Sequence, residues 1–458
     1  MFAYMKQKPG FYKQVVLLAL PIVLQNLITS ALGMADTFMV GMLGEVPMAA
    51  VTLANIPLFA LQMFIFGVQS GSSVLVSQYW GKQEMESINR VLGVALWVVL
   101  VVSALFAGVL LVCPVEFLSL FGNEPEVIAL AAQYGSIVGF SYVCNAFTMM
   151  YVAAYRSMER PQLGLYILVA SMATNTFLNW VLIFGKLGAP AMGVRGAATA
   201  TLIARLLEVT MVILHMMKNR FFRVHLHLLL RPGLDMTRRF LKYGGLVVCN
   251  ETMWGIGTSV FPTIMGHMAG STEILAAYTI AGNVEKITMV VAFGLASTAS
   301  IIIGREVGAG RADRILDVGK SLNTLAVMSG LTLGALLMLF VRLAAPVWVY
   351  PLFKLSPGAA SVATMMMTVM ALSMPLKDFN TVNIVGVLRG GGDVKAATLI
   401  DISPLWGVAI PYAALCGLVL KTTVLWVYLA FPLEQAVKFF VGIHRLRSGR
   451  WVRDLTRS

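Results

Sequence analysis

The sequence predicts an all-α integral membrane protein of twelve transmembrane helices in two pseudo-symmetric six-helix lobes. Three observations predict it. Of 458 residues, 58% are hydrophobic and only 12% charged, with a mean hydropathy of +0.82, whereas soluble chains carry about a quarter charged residues. Unbroken apolar runs such as 91–112 and 322–340 reach the roughly 20 residues that cross hydrocarbon as a helix. The two halves also repeat one another. A membrane β-barrel would alternate apolar and polar residues over segments of about ten. Backbone groups inside a bilayer must be satisfied within their own segment, so the runs are helical.

In order, the spans are 13–40, 50–78, 91–112, 130–155, 162–185, 193–217, 240–267, 275–303, 321–343, 361–388, 396–419 and 422–444. The first follows Lys6, Lys8 and Lys13 as a secretory signal would. It is too long for a signal core, contains Gln25 and Asn26, and leads into more membrane, so it reads as a span. The segments on the N-terminal side of the membrane hold most of the 34 Lys and Arg. The opposite loops hold only Lys186, Arg195, Arg342, Lys354 and Lys421. By the positive-inside rule, both termini are cytoplasmic and the protein is a multi-pass resident of the inner (plasma) membrane. The net charge of +13 is thus an orientation signal, and no nucleic acid is needed to explain it.

The basic stretch 218–239 reads as a cytoplasmic linker between an N-terminal lobe, 1–217, and a C-terminal lobe, 240–458, which ends in a short basic tail. Laying 49–81 over 276–308 without gaps pairs Ala50 with Ala277, Thr52 with Thr279, Gly67 with Gly294, Ser70 with Ser297 and Gly81 with Gly308. A second alignment pairs Asn145 with Asp378 and Arg156 with Arg389. Each half crosses the membrane an even number of times, so the repeats are parallel and their axis follows the membrane normal.

Ionisable side chains inside spans are costly and are functional candidates by default. Asp36 in span 1, Asn179 in span 5 and Thr201 in span 6 all fall within about 12 Å of the outer helix ends at 1.5 Å per residue. Asn175 lies one turn deeper on the face of Asn179. One carboxylate among amide and hydroxyl oxygens suits a proton or a sodium ion, since hard cations prefer oxygen. A second set is Glu251 in span 7 and Asp378 in span 10, both near mid-membrane. Facing one another, they would need a cation or a shared proton. Glu285 and Lys286 in span 8, and Lys377 beside Asp378, offer ion-pair partners. Arg205 and Glu208, three apart in span 6, read as a helix-surface ion pair. Gln25, Asn26, Glu285 and Met289 are the candidates for lining a substrate cavity. Met365–Met367 and Met370 suit packing, or a wall that moulds to varied ligands.

Other patterns carry no chemistry. Asn250-Glu251-Thr252 fits a glycosylation sequon inside a helix. Gly319-Lys320-Ser321 lacks the preceding glycine of a P-loop, so no ATP-binding partner is called for. Cys113, Cys144, Cys249 and Cys416 show no CxxC pair, and His225 and His227 have no ligand cluster beside them, so no metal centre is expected.

Several of these segments together resemble the bacterial MATE (multidrug and toxic compound extrusion) family: LALPIVLQNLITSALGMADTFMVGMLG, SVLVSQYWGK, NTFLNWVLIFG, GVRGAATATLIA, AAYTIAGNVEKI and the terminal RSGRW. The resemblance spans essentially the whole chain. It implies a V-shaped, two-lobed secondary antiporter that exports lipophilic, often cationic drugs or toxic compounds in exchange for Na⁺ or H⁺ by alternating access. By position, Asp36, Asn175, Asn179 and Thr201 match the family's N-lobe cation site, and Glu251 and Asp378 match the acidic pair of its sodium-coupled branch. Some proton-coupled members have a second aspartate at the position of Asn179, which leaves Asp36 the lone acid here. The implied partners are small hydrophobic or cationic molecules and membrane lipid. The implied chain is a monomer without a cofactor beyond the coupling ion. A lipid-linked oligosaccharide flippase of similar architecture would need basic residues for pyrophosphate, and a non-transporting scaffold would need no buried carboxylates. An intramembrane enzyme would need a nucleophile–base set, and none is visible.

Overall fold

The computed structural model describes residues 7–456 except positions 123, 220 and 354. Of the flanking charges read above, Lys6, Arg220 and Lys354 therefore lie outside the described residues. Twelve long helices follow one another: α1 Pro9–Gly41, α2 Glu45–Lys82, α3 Met85–Val112, α4 Pro125–Ser157, α5 Gln162–Phe184, α6 Val194–Lys218 and α7 Leu234–Gly266. The set is completed by α8 Ser271–Gly308, α9 Arg314–Leu352, α10 Pro357–Leu388, α11 Val394–Val419 and α12 Val424–Arg447. Among the described residues the only strand-like pairing is a single bridge between Gly392 and Val452.

Eleven of these helices are both long and apolar enough to cross a membrane. The twelfth, α7, has 33 residues, but Arg238, Arg239, Lys242, Asn250 and Glu251 dilute its apolar character. Large hydrophobic side chains cover the outer surface: Phe38, Leu105, Trp348 and Phe440 are each more than 60% exposed. A surface of that kind is stable against lipid and unstable against water.

Packing groups the chain into two compact units. The N-terminal unit is Leu24–Val248, and the other joins Cys249–Ser458 to the stretch up to Val23. The dividing points thus fall inside α1 and α7. Val15 and Leu18 accordingly sit in the same core as Ala296, Ile303 and Trp451. In the N-terminal unit the central helix is α4, which packs on α2, α3 and α6. The repeat-related α10 packs on α8, α9 and α12 in the C-terminal unit.

The units differ in how their helices are wound. The C-terminal one contains π-helical stretches at Phe340–Val349, Val382–Leu388, Leu405–Ala409 and Leu415–Val419. Such widened turns reset the phase of the side chains that follow them. Methionines Met366, Met367 and Met370 are buried in its apolar core, so packing is their role.

Candidate functional site

Two glycines set the geometry of the N-terminal site. α5 ends at Gly185, whose φ of +67° is the left-handed conformation glycine adopts without strain. The chain then returns so closely that a Cβ on Gly196 would lie 2.6 Å from the Leu182 carbonyl oxygen. Any larger residue there would push α6 away from α5.

That close approach brings the four predicted N-terminal residues together. Asn175 and Asn179, one turn apart on α5, are buried. The amide Nδ2 of Asn179 donates to Asp36 Oδ1 at 2.7 Å and to Asn175 Oδ1 at 3.1 Å. Asn175 Nδ2 reaches Thr201 Oγ1 on α6 at 3.4 Å, and that hydroxyl donates to the Ala197 carbonyl at 3.0 Å. Among the described residues Asn179 Oδ1 has no hydrogen-bond partner. A buried amide oxygen seldom stays unpaired, and here it lies on the residue bonded to Asp36, the one carboxylate among the described residues that line the adjoining cavity. The donor set is all oxygen, which fits a proton or an alkali cation.

The site opens on a cavity of about 190 Å³ lined by Asp36, Gln62, Tyr134, Asn145, Thr201 and Arg205. The tyrosine and glutamine are lining residues that the sequence reading missed, and buried Asn145 entered it only as the repeat partner of Asp378. Each is unremarkable on its own helix and becomes informative only when α2 and α4 are packed together.

A second cavity of about 240 Å³ in the same unit holds Gln25 and Asn26, two of the substrate-cavity candidates. Gln25 Nε2 donates to the Pro161 carbonyl at 2.8 Å. The other two candidates belong to the C-terminal unit. There Glu285 is ion-paired with Lys377, and Met289 is buried in the apolar core.

Glu251 and Asp378 receive separate partners. Arg389 Nη1 donates to Glu251 Oε1 at 2.6 Å. Its Nη2 lies 3.7 Å from Asp401 Oδ2. Lys438 bridges Asp401 at 2.7 Å and Glu434 at 2.6 Å, and Asn250 donates to Asp401 at 2.9 Å. Three carboxylates and two bases thus form one chain across α7, α10, α11 and α12. Asp378 is fully buried and accepts from Ser329 at 3.1 Å. Arg389 directly follows span 361–388 and Lys438 falls inside span 422–444, and both are buried within the fold. Paired burial of this kind is strongly destabilised when one partner is removed.

Arg205 and Glu208 also differ from expectation. Their bond is real, but Glu208 is only 2% exposed, so the pair is internal to the unit rather than on the helix surface. The helical spacing is identical in the two cases. What buries it is the packing of α6 against α4.

Comparison with known proteins places the chain by family and fold. The MatE family model matches residues 21–181 and 245–415. A Thermotoga maritima protein named "Probable multidrug resistance protein NorM" is 23% identical over 97% of this chain and 94% of its own length. The Bacillus subtilis "Probable multidrug resistance protein YoeA" is 23% identical over 95% and 93%. In fold, the chain is similar to a MOP superfamily transporter from Pyrococcus furiosus (TM-score 0.84, 19% identity, 98% of each chain).

Proposed function

The chain belongs to the MatE family, and from that premise we propose that it is a secondary antiporter. It exports lipophilic, often cationic compounds in exchange for Na⁺ or H⁺ by alternating access. The observation that carries this reading is Asp36: a half-buried carboxylate, hydrogen-bonded to Asn179 at 2.7 Å, facing a polar cavity inside a membrane-spanning bundle. Among the described residues no Lys or Arg forms an ion pair with it, so its charge is available to a mobile cation.

The chemistry follows from competition. With the site open to one side, Asp36 draws a lipophilic cation out of the membrane or cell interior. With the site open to the other, a proton or Na⁺ takes the carboxylate, helped by the Asn179 and Thr201 oxygens, and the guest leaves. Coupling requires only that each ligand prefers a different arrangement of the helices. Both relatives named as multidrug resistance proteins support drugs as the guest class. In this reading both termini are cytoplasmic, the protein works in the inner membrane as a monomer, and no ATP-binding partner or cofactor beyond the ion is needed.

The test is export of ethidium from proteoliposomes under separately imposed Na⁺ and H⁺ gradients. Export driven by at least one of them is expected. No export under either would contradict the proposal.

A further inference from the structure

We propose that Glu208 is the inner proton acceptor for Asp36 and that Arg205 gates the passage between them. This rests on the reading of Asp36 as the coupling carboxylate, and it narrows the coupling ion to a proton.

The two cavities of the N-terminal unit lie in series. Asp36, Asn145 and Arg205 line the first. Thr148, Arg156 and Glu208 line the second. Gln62 lines both. The order is the same on each helix that runs toward the basic linker. On α2 Asn55 precedes Gln69, on α4 Asn145 precedes Thr148, and on α6 Arg205 precedes Glu208. The second cavity is therefore the one nearer the linker.

An ion pair closes the way between them. Arg205 Nη1 donates to both oxygens of Glu208, at 2.8 and 3.0 Å. Beside it, Asn145 and Thr148 are each 3% exposed. Asn145 Nδ2 and Oδ1 and Thr148 Oγ1 have no hydrogen-bond partner among the described residues. Buried polar atoms without protein partners are met by ordered water, and both cavities have room for several molecules. A clamp that served only to hold α6 would need neither the cavities on its two sides nor polar side chains aimed into them.

The charges also select the ion. Along the path they alternate: Asp36, Arg205, Glu208, Arg156. A sodium ion would have to pass two guanidinium groups, whereas a proton can be handed from oxygen to oxygen. Among the described residues Tyr134 is the other titratable group lining the path, with Cys144 near enough to interact with Glu208 and Arg205, and neither is a carboxylate. In the proposed step the O–H bond of protonated Asp36 breaks and its proton passes to water. A proton of that water forms an O–H bond on Glu208 as Arg205 releases it. Glu208 then gives the proton to water on the linker side and re-pairs with Arg205. Both carboxylates end ionised and no electrons are transferred.

The experiment is ethidium export from proteoliposomes under a pH gradient or a Na⁺ gradient, with ethidium binding to the purified protein measured alongside. Glu208→Gln should slow pH-driven export at least about a hundredfold, the low end of what a positioned proton acceptor contributes, with dye binding unchanged within about twofold. Glu208→Asp should restore much of the rate. The double variant Arg205→Gln/Glu208→Gln leaves no unpaired charge and should be as slow as Glu208→Gln. Wild-type rates in Glu208→Gln or in the double variant would overturn the relay, as would wild-type export driven by Na⁺ alone. In all three of these cases the exporter reading would stand. Wild type that moves no dye under either gradient would overturn both.

Discussion

In the N-terminal unit the carboxylate of Asp36 is held by an amide, with a second amide and a hydroxyl behind it. In the C-terminal unit Glu251, Asp401 and Glu434 are each held by a guanidinium or an ammonium group. The two halves carry related sequences, yet these acids are neutralised differently. Asp36 and, in the other unit, Asp378 meet uncharged donors, whereas Glu251, Asp401 and Glu434, like Glu208 of the N-terminal unit, meet a base. An amide lends dipoles and leaves the negative charge in place. A resident base cancels it. The first arrangement can exchange a mobile cation at little cost, whereas the second must break a short bond between buried charges before a cation can enter. The comparison teaches that a buried acid alone does not mark a coupling site; what neutralises it does.

The sharpest way to break this contrast is to remove the cavity-lining charge that lacks a resident base, Asp36. Asp36→Asn is expected to lower gradient-driven dye export by about a hundredfold or more, the scale on which positioned acid–base groups act. Its melting temperature should stay close to wild type, because an amide can still bond Asn179. A normal export rate would remove Asp36 from the mechanism.

The next largest effect is on stability, in the other unit. Arg389→Gln strands Glu251 beside a buried cluster and should cost about 3–5 kcal/mol, as removal of one partner of a buried pair does. Adding Glu251→Gln should recover most of that loss. Thermal melts of the single and double variants in one detergent would check it. Equal melting temperatures for the two would show that the pair is not coupled.

Smaller effects grade the oxygen set around Asp36. Asn179→Ala removes a charge-assisted hydrogen bond to the ionised Asp36 carboxylate worth about 1.5–3 kcal/mol, so protonation becomes easier and the proton concentration for half-maximal export should fall roughly tenfold. Thr201→Val removes only a distant hydroxyl partner of Asn175 and should shift it about two- to fivefold, in line with a neutral hydrogen bond of about 1 kcal/mol. The reverse ranking would mean that Thr201, not Asn179, carries the ion.

The fold was legible because each span is an apolar run with its own length limit. Only α7 falls short of that length-and-apolarity limit in the structure, because charged and amide side chains interrupt it. The quartet of Asp36, Asn175, Asn179 and Thr201 was legible too. All four lie on regular α-helices, where depth follows from 1.5 Å per residue and facing from a spacing of four. Both rules weaken in the C-terminal unit. The π-helical stretch Val382–Leu388 stands between Asp378 and Arg389, so the face of one does not predict the face of the other. Arg389 sits at a span end, where long basic side chains commonly reach outward to the interface, and Lys438 sits mid-way along its helix. Here they turn inward. The burial of Glu208 was hidden for a different reason. A pair three residues apart looks the same on an exposed and on an enclosed helix face, and only the neighbouring helix decides between them.

The most direct measurement is a side-by-side assay of Asp36→Asn and of the charge-balanced double variant Glu251→Gln/Arg389→Gln, both reconstituted, with ethidium export followed under the gradient that drives the wild type. The account predicts that the first is inactive and that the second keeps a rate within a few-fold of wild type. An active Asp36→Asn beside an inactive double variant would contradict it and move the coupling site to the C-terminal unit.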